Sequence, residues 1–532
     1  MVAGAGAISD RPAGVTRLRL ASEVGREGVP VPVRRVLQVP AVVFGHWRPR
    51  RRLLVSEPTA YLFLEPVQGG FMDQTLQALT ALAAGDVPPQ ARYEARRRIL
   101  DTTAIGVAGA SEPASRIARE VALEHPSAVT GGAVVFGTDR CVATDQAAFA
   151  NATMMHAHDF MDTYLSPSGE VCHPADALPG LLALAQHEGL SVDHLLDAIV
   201  VAYEVACRLC DAGPIRRRGW DSAIYIGIAA AAGAARLLGL PSRETSEAIS
   251  LTTIPNAALR QTRVDRISMW KSSAPANAVR NALHAVQLAR RGFAGPDQPF
   301  SGRNGFEAQV SGPLDPEALV PAGEPPFIER THIKSWPAQF NTQTGIEAAI
   351  GLRDQIGQLE RLKTVRITTS AIGHALSADT AEKWAPATRE TADHSLPYLV
   401  VSALIDGDIT HASFTPELLQ QQQRRDLLAR VEVDVDDAFT AAYPGLLTVA
   451  IAATLTDGQL LRRSVDLPPG HADRPLSDDG LADKARRVLE PFLDRRDVDR
   501  HIDRTLNLDG DAPAGALLRH LVTAGPDRGT TS

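Results

Sequence analysis

Lysine is nearly missing from this chain. There are five in 532 residues (Lys271, Lys334, Lys363, Lys383 and Lys484), against 49 arginines. Where arginine is the default cation, a lysine in an apolar or aromatic setting asks for a chemical reason, because a compact ammonium and a planar guanidinium do different work. Trp270-Lys271 and Lys334-Ser335-Trp336-Pro337 are two such settings. Cysteine is equally scarce. Four in the whole chain exclude a disulfide scaffold. The lone Cys207-x-x-Cys210 has no second pair to complete a zinc site, so these read as core thiols. Long hydrophobic runs are also absent. The longest apolar stretch, Ala223 to Ala235, is 13 residues and stops at Arg236, short of the about 20 needed to span a bilayer. No basic patch followed by an apolar run opens the chain, so a secretory signal is not expected and the cytoplasm is.

What is present is an ordinary globular composition, 44% hydrophobic and 22% charged, with enough chain for several domains. The net charge of −8 argues against a broad nucleic-acid role. It is unevenly spread: residues 1–71 carry ten arginines, no lysine and five acids, a local +5, which leaves −13 for the rest. That segment shows no sustained periodicity and reads as a disordered or non-native extension rather than a basic interaction arm. Met72, directly before a helical pattern, is a candidate start.

From Met72 the pattern is helical. Leu76, Leu79 and Leu82 share a face, and Ala95, Ile99, Thr103 and Val107 recur at i+4. A short extended patch at Ala133–Phe136 interrupts, and helices are then expected over 176–187, 192–210, 222–239 and 274–292. The segment 222–239 is packed with Ala and Gly, which suits a central helix. Near residue 330 the pattern changes. Val365, Ile367 and Thr369 alternate with polar residues, as do Val431, Val433 and Val435. Two apolar runs flank Thr456-Asp457-Gly458-Gln459, a strong hairpin signal. Helices are expected over 344–358, 395–406 and 416–428, and helix returns over 476–523. The expected architecture is therefore mainly α with an α+β lid. A large helical domain is formed by 72–331 and 469–532, and a smaller α+β domain, 332–468, is inserted between them.

Four clusters could carry chemistry. The first is Met154-Met155-His156-Ala157-His158-Asp159-Phe160-Met161-Asp162-Thr163-Tyr164, followed by Cys172-His173-Pro174. It admits a metal site, since His-x-His with Asp can hold zinc. It equally admits acid–base chemistry, or plain helix-capping Asp and buried core His. The second is Arg260-Gln261-Thr262-Arg263 with Met269-Trp270-Lys271-Ser272-Ser273. There Lys271 is either a carboxylate-binding or acid–base group or a snorkelling surface residue. The third is Lys334-Ser335-Trp336-Pro337-Ala338. The fourth is Arg389-Glu390-Thr391-Ala392-Asp393-His394-Ser395-Leu396-Pro397, also readable as a helix start with Ser395 as N-cap.

Together these strings, in order, with Gly295-Pro296, Phe300 to Gly302, Lys383-Trp384 and Tyr398, resemble the MmgE/PrpD family, from about Met72 to residue 520. That family contains 2-methylcitrate dehydratase, cis-aconitate decarboxylase and an iminodisuccinate epimerase. The resemblance implies a homodimer without metal or other cofactor, whose active site lies between helical domain and lid. It places catalytic residues on Asp159, Thr163, His173, Lys271 and Lys334. Substrate contacts are expected at His156, Asp221, Arg260, Arg263 and His394. The implied partner is a small di- or tricarboxylate, in the setting of propionate catabolism; no nucleic acid or membrane is implied. The expected reaction is dehydration of a 2-methylcitrate-like acid, with decarboxylation or epimerisation of a related acid as alternatives. A non-catalytic binding protein is disfavoured because all five positions keep functional side chains. His173 is expected as general acid or base, oriented by Asp159 with Thr163 as hydrogen-bond partner. The chain departs from the pattern at Ser222, where dehydratase-like members carry His, and at Ala175 and Ala177, where Ser and Asn are common.

Overall fold

The computed structural model describes residues 73–127, 131–264 and 267–523; the expectations for residues 1–71 lie outside them. Alanine and glycine decide how the helices approach one another. The helix Ala223–Leu237 is buried along nearly its whole length and packs on Val192–Ala212 and Trp270–Ala289. At Gly233 an added Cβ would lie 2.7 Å from the Ala198 carbonyl oxygen, so only glycine lets these backbones close. Gln74–Ala84, Pro89–Ala108, Thr144–His156 and Leu178–Glu188 complete this layer, and Asp478–Leu489 returns to pack on Pro89–Ala108. The fold is mainly α with a small α+β part.

The apolar side chains form two clusters. One takes residues from Leu76 to Ile333 and again from Leu481 to Leu521; the other takes Trp336 to Val465. The second covers a four-stranded sheet in the order Val431–Val435, Leu362–Thr369, Val449–Leu455, Leu460–Val465. The first pair is parallel, with Ile367 opposite Val433, and the others are antiparallel, with Ile367 opposite Ile451. Asp457 and Gly458 make the expected turn between the last two strands, with Gly458 at φ +88°. Ser395 caps Leu396–Asp406 as expected, accepting the Tyr398 N–H at 3.2 Å.

Some elements differ from expectation. The helix expected over 416–428 is two, Pro416–Leu419 and Gln422–Leu428, because Gln421 is extended between them. The helix expected from 274 begins at Trp270, with Pro275 inside it. Pro275 offers no N–H to the Lys271 carbonyl, but the turn forms regardless, and it carries Lys271 into the interior. Cys172, Cys207 and Cys210 are free and buried; Cys141 is free and exposed.

Candidate active site

A cavity of about 830 Å³ opens where the two groups of elements meet. Its walls come from well-separated stretches of chain. The helix Thr144–His156 ends at Ala157, and two residues later Asp159 takes φ +48°, the only positive φ at a non-glycine among the described residues. Asp tolerates that region better than most side chains, and such strain collects at functional sites. The turn aims the Asp159 carboxylate at two lysines. Beyond it, Tyr164–Leu165 pairs antiparallel with Val171–Cys172 in a tight hairpin, which returns His173 beside Thr163. Thr163 is fixed by a two-way backbone bridge to His332, N–H to O at 2.9 and 2.8 Å. That bridge also places Lys334, two residues on.

Lys334 is 1% exposed and donates from Nζ to the Asp159 carbonyl oxygen at 2.6 Å and to Oδ1 at 2.9 Å. Lys271 Nζ lies 3.7 Å from Asp159 Oδ2, and His394 Nε2 lies 3.5 Å from the same oxygen. His394 Nδ1 is in turn bonded to Asp393 Oδ1. Burial alone would raise the Asp159 carboxyl, but Lys271, Lys334 and His394 outweigh it and hold it well below the usual carboxylate range. Burial pulls Lys334 down against the pull of Asp159. Asp159, Asp393 and His394 bring three potential ligand atoms within 4.8 Å of one another. The lysine ammonium groups already stand against that carboxylate.

His173 is held differently from expectation. Its Nδ1 lies 2.8 Å from the Asp162 main-chain oxygen and 3.3 Å from Thr163 Oγ1; Asp159 is not its hydrogen-bond partner. A carbonyl only accepts, so Nδ1 carries the proton and Nε2 keeps a lone pair. Among the described residues Nε2 meets no hydrogen-bond partner, and the ring lines the cavity. Burial and then Lys334 push His173 down to about 3, so it is neutral at pH 7. Asp162, which sequence reasoning left out of the site, anchors this arrangement. Its buried carboxylate accepts from Tyr203 Oη at 2.7 Å and the Ala175 N–H at 3.2 Å, and it faces Arg98 Nε at 3.2 Å. The Asp159-Phe-Met-Asp162 string was the available signal, but spacing alone does not reveal a main-chain acceptor.

All five expected catalytic positions line the cavity, as do Asp221, Arg260, Arg263 and His394. His156 does not. It is buried behind His173, ring centroids 5.6 Å apart and edge-on, with Nδ1 2.8 Å from Asp176 Oδ1. Burial, then Arg263 and Lys271, keep His156 well below its ordinary value, and burial raises Asp176 to about 7. Arg263 Nε is 2.6 Å from Asp221 Oδ2. Lys271 is a buried cavity residue and not a snorkelling one. Ser222 and Arg216 also line the cavity. Six cations face it (Arg216, Arg260, Arg263, Lys271, Lys334 and Lys383) against four carboxylates (Asp159, Glu170, Asp221 and Glu382), so an acidic chain presents a locally positive pocket.

The MmgE/PrpD N-terminal domain family matches residues 74–319, and its C-terminal domain family matches residues 336–508. The chain belongs to the MmgE/PrpD family. Cis-aconitate decarboxylase of Homo sapiens is 26% identical over 448 residues, covering 81% of this chain and 90% of that protein. 2-Methylcitrate dehydratase of Salmonella typhi is 28% identical over 408 residues, covering 72% of this chain and 82% of its own. Cis-aconitate decarboxylase-like protein oryM of Aspergillus oryzae is 25% identical over 483 residues, covering 85% and 97%. The chain is accordingly an enzyme of the lyase type. No helix among the described residues is long and apolar enough to cross a membrane.

Proposed function

We propose that this enzyme removes water from a 2-methylcitrate-like di- or tricarboxylate without a cofactor, by abstracting a proton α to a carboxylate. The observation that carries the reading is the His173 imidazole, with Nδ1–H fixed and Nε2 bare, facing the same cavity as two lysines on one carboxylate. Nε2 takes the α proton, and the electron pair left by the C–H bond forms the C=C bond as the C–O bond to the β-hydroxyl breaks. The hydroxide leaves as water with a proton from Lys271, which is held less closely by Asp159 than Lys334 is. Lys271 and Lys334 stabilise negative charge building on the carboxylate; such preorganised groups act where charge develops. A positioned base and acid each contribute about 10²–10⁴-fold. A substrate anion bound beside His173 also raises its basicity from the low value of the empty site.

Decarboxylation is the second reading, supported by the long match to the human cis-aconitate decarboxylase and by Ser222 in the cavity wall. There, loss of CO₂ leaves a carbanion that a positioned acid protonates. The test is a proton NMR time course in deuterated buffer with 2-methylcitrate, citrate and cis-aconitate separately. New vinyl signals from 2-methylcitrate support the dehydratase, and itaconate from cis-aconitate supports the decarboxylase. Silence with all three refutes both. A homodimer is part of the proposal, supported by the exposed apolar side chains Ile254, Leu259, Val264, Met269 and Trp270 on one stretch of chain. Light scattering at the monomer mass would refute it.

A further inference from the structure

Two arginines in the cavity wall pair with no carboxylate among the described residues. Arg216 and Arg260 are far apart in sequence, and main-chain contacts bring their loops together. The Arg260 N–H donates to the Gly219 carbonyl at 2.9 Å, Leu259 bridges Trp220, and the Asp221 N–H donates to the Ala258 carbonyl at 2.9 Å. Gly219 turns the chain at φ +86°, a conformation that suits glycine. On the other side, the Arg216 N–H donates to Glu170 Oε2 at 2.9 Å, tying this loop to the hairpin that carries Leu165 and Val171 into the cavity.

Among the described residues neither guanidinium of the pair makes an ion pair or a hydrogen bond. Their neighbour Arg263 is different, since its Nε is held by Asp221. Glu170, beside Arg216, uses an oxygen on a main-chain N–H instead of on the guanidinium. The charges acting most strongly on Arg260 are Arg216 and Arg263, both of its own sign, and then Asp221 and Glu170. Burial and those two arginines lower Arg260 to about 10. Asp159, by contrast, is governed by Lys271, Lys334 and His394. The cavity therefore has two positive groups, with the committed Arg263–Asp221 pair near both. Adjacent guanidiniums that face a cavity and pair with none of its carboxylates suit an anion, because an incoming anion relieves their repulsion and gains forked hydrogen bonds.

We infer that Arg216 and Arg260 form a second anion subsite, which holds a substrate carboxylate remote from the one activated at Lys271 and Lys334. The subsite rests on the polycarboxylate reading of the cavity and deepens it: the carboxylate remote from the reacting carbon is read by arginine.

The probe is propane-1,2,3-tricarboxylate, which has no hydroxyl to lose, with propionate as a single-carboxylate control. Calorimetric titration of the full chain measures both, for wild type, R216Q/R260Q and R216K/R260K. Expected is a loss of about tenfold or more in tricarboxylate affinity for the Gln pair, as for a lost charge-assisted contact, with propionate affinity unchanged. The Lys pair keeps the charge and recovers part of the loss, which separates the subsite from misfolding. Tricarboxylate affinity within twofold of wild type in R216Q/R260Q overturns the subsite. Turnover on the same preparations separates the two ideas. Wild-type lyase activity that the Gln pair leaves intact refutes the subsite and keeps the lyase. Arginine-dependent tricarboxylate binding with no turnover of any tested acid refutes the lyase reading and keeps the subsite.

Discussion

Replacing Lys334 by Met probes the charge arrangement at its centre. Lys334 Nζ sits 2.9 Å from Asp159 Oδ1 and 2.6 Å from the Asp159 carbonyl oxygen, in a position 1% exposed. At an effective dielectric of about 20, a pair at that separation attracts by about 6 kcal/mol before desolvation is counted. Removing one member of a buried pair costs about 3–5 kcal/mol, because the other is left uncompensated. Asp159 keeps Lys271 at 3.7 Å and His394 at 3.5 Å, so the low end applies, a loss of about 3 kcal/mol in urea unfolding. Turnover should fall by about 10²–10³, the scale of losing one preorganised electrostatic contact. K334R should not rescue it, since a planar guanidinium does not reproduce the two contacts that the compact ammonium makes with the Asp159 carbonyl oxygen and Oδ1. A K334M protein within 1 kcal/mol of wild-type stability that keeps its turnover would refute the ionic account of Asp159.

Three other outcomes are expected. Asp162→Ala takes from Arg98 one of its two ion-pair partners among the described residues, leaving Glu94, and removes the acceptor for Tyr203, so it should destabilise by about 3 kcal/mol or more. Asp162→Asn keeps the shape, and with it the main-chain hold on His173, so it should lose less of both stability and turnover; equal losses would contradict this. A base works deprotonated, so activity falls as pH drops through its pKa. With His173 near 3 in the empty site, kcat/KM should show no His173 limb near 6.5, while the limb in kcat lies higher because bound anion raises the group; coincident limbs would argue against His173 as base. Buried His158 and His501 and half-buried His173 are pushed down to about 4, 4 and 3 in the folded protein, against about 6.5 unfolded. The unfolded chain takes these protons first, so stability is full above about 6.5 and is lost as pH falls toward those values, by up to about 1.4 kcal/mol per pH unit for each group. Glu112, lowered to about 2 by His158 and Arg389 against its burial, adds a loss below its unfolded value of about 4.5. Urea midpoints flat between pH 7.5 and 5 would contradict this.

The sequence carried much of this arrangement because its chemistry is concentrated in short strings. The lysines singled out at Trp270-Lys271 and Lys334-Ser335-Trp336 both reached the cavity, and so did Lys383 beside Trp384. The alternation of Val431, Val433 and Val435 marks a strand, but alternation does not encode direction, so its parallel pairing with Leu362–Thr369 was not legible. The helix expected from 274 starts about one turn earlier, at Trp270, since tertiary packing outweighed the N–H missing at Pro275. His156 carried the same local signal as His173, yet it faces Asp176 from inside a buried helix, and only the hairpin return separates the two roles. Arg216, the first of three consecutive arginines, carried no signal of a site in the sequence, because its partner loop lies more than forty residues on.

The most direct test of the central claim is proton abstraction by His173. Proton NMR in deuterated buffer, with whichever polycarboxylate the wild type turns over, measures product formation and solvent deuterium incorporation for wild type and H173Q. The account predicts that both rates fall by about 10²–10⁴ in H173Q while tricarboxylate binding persists. An H173Q enzyme that exchanges and turns over near the wild-type rate would contradict it.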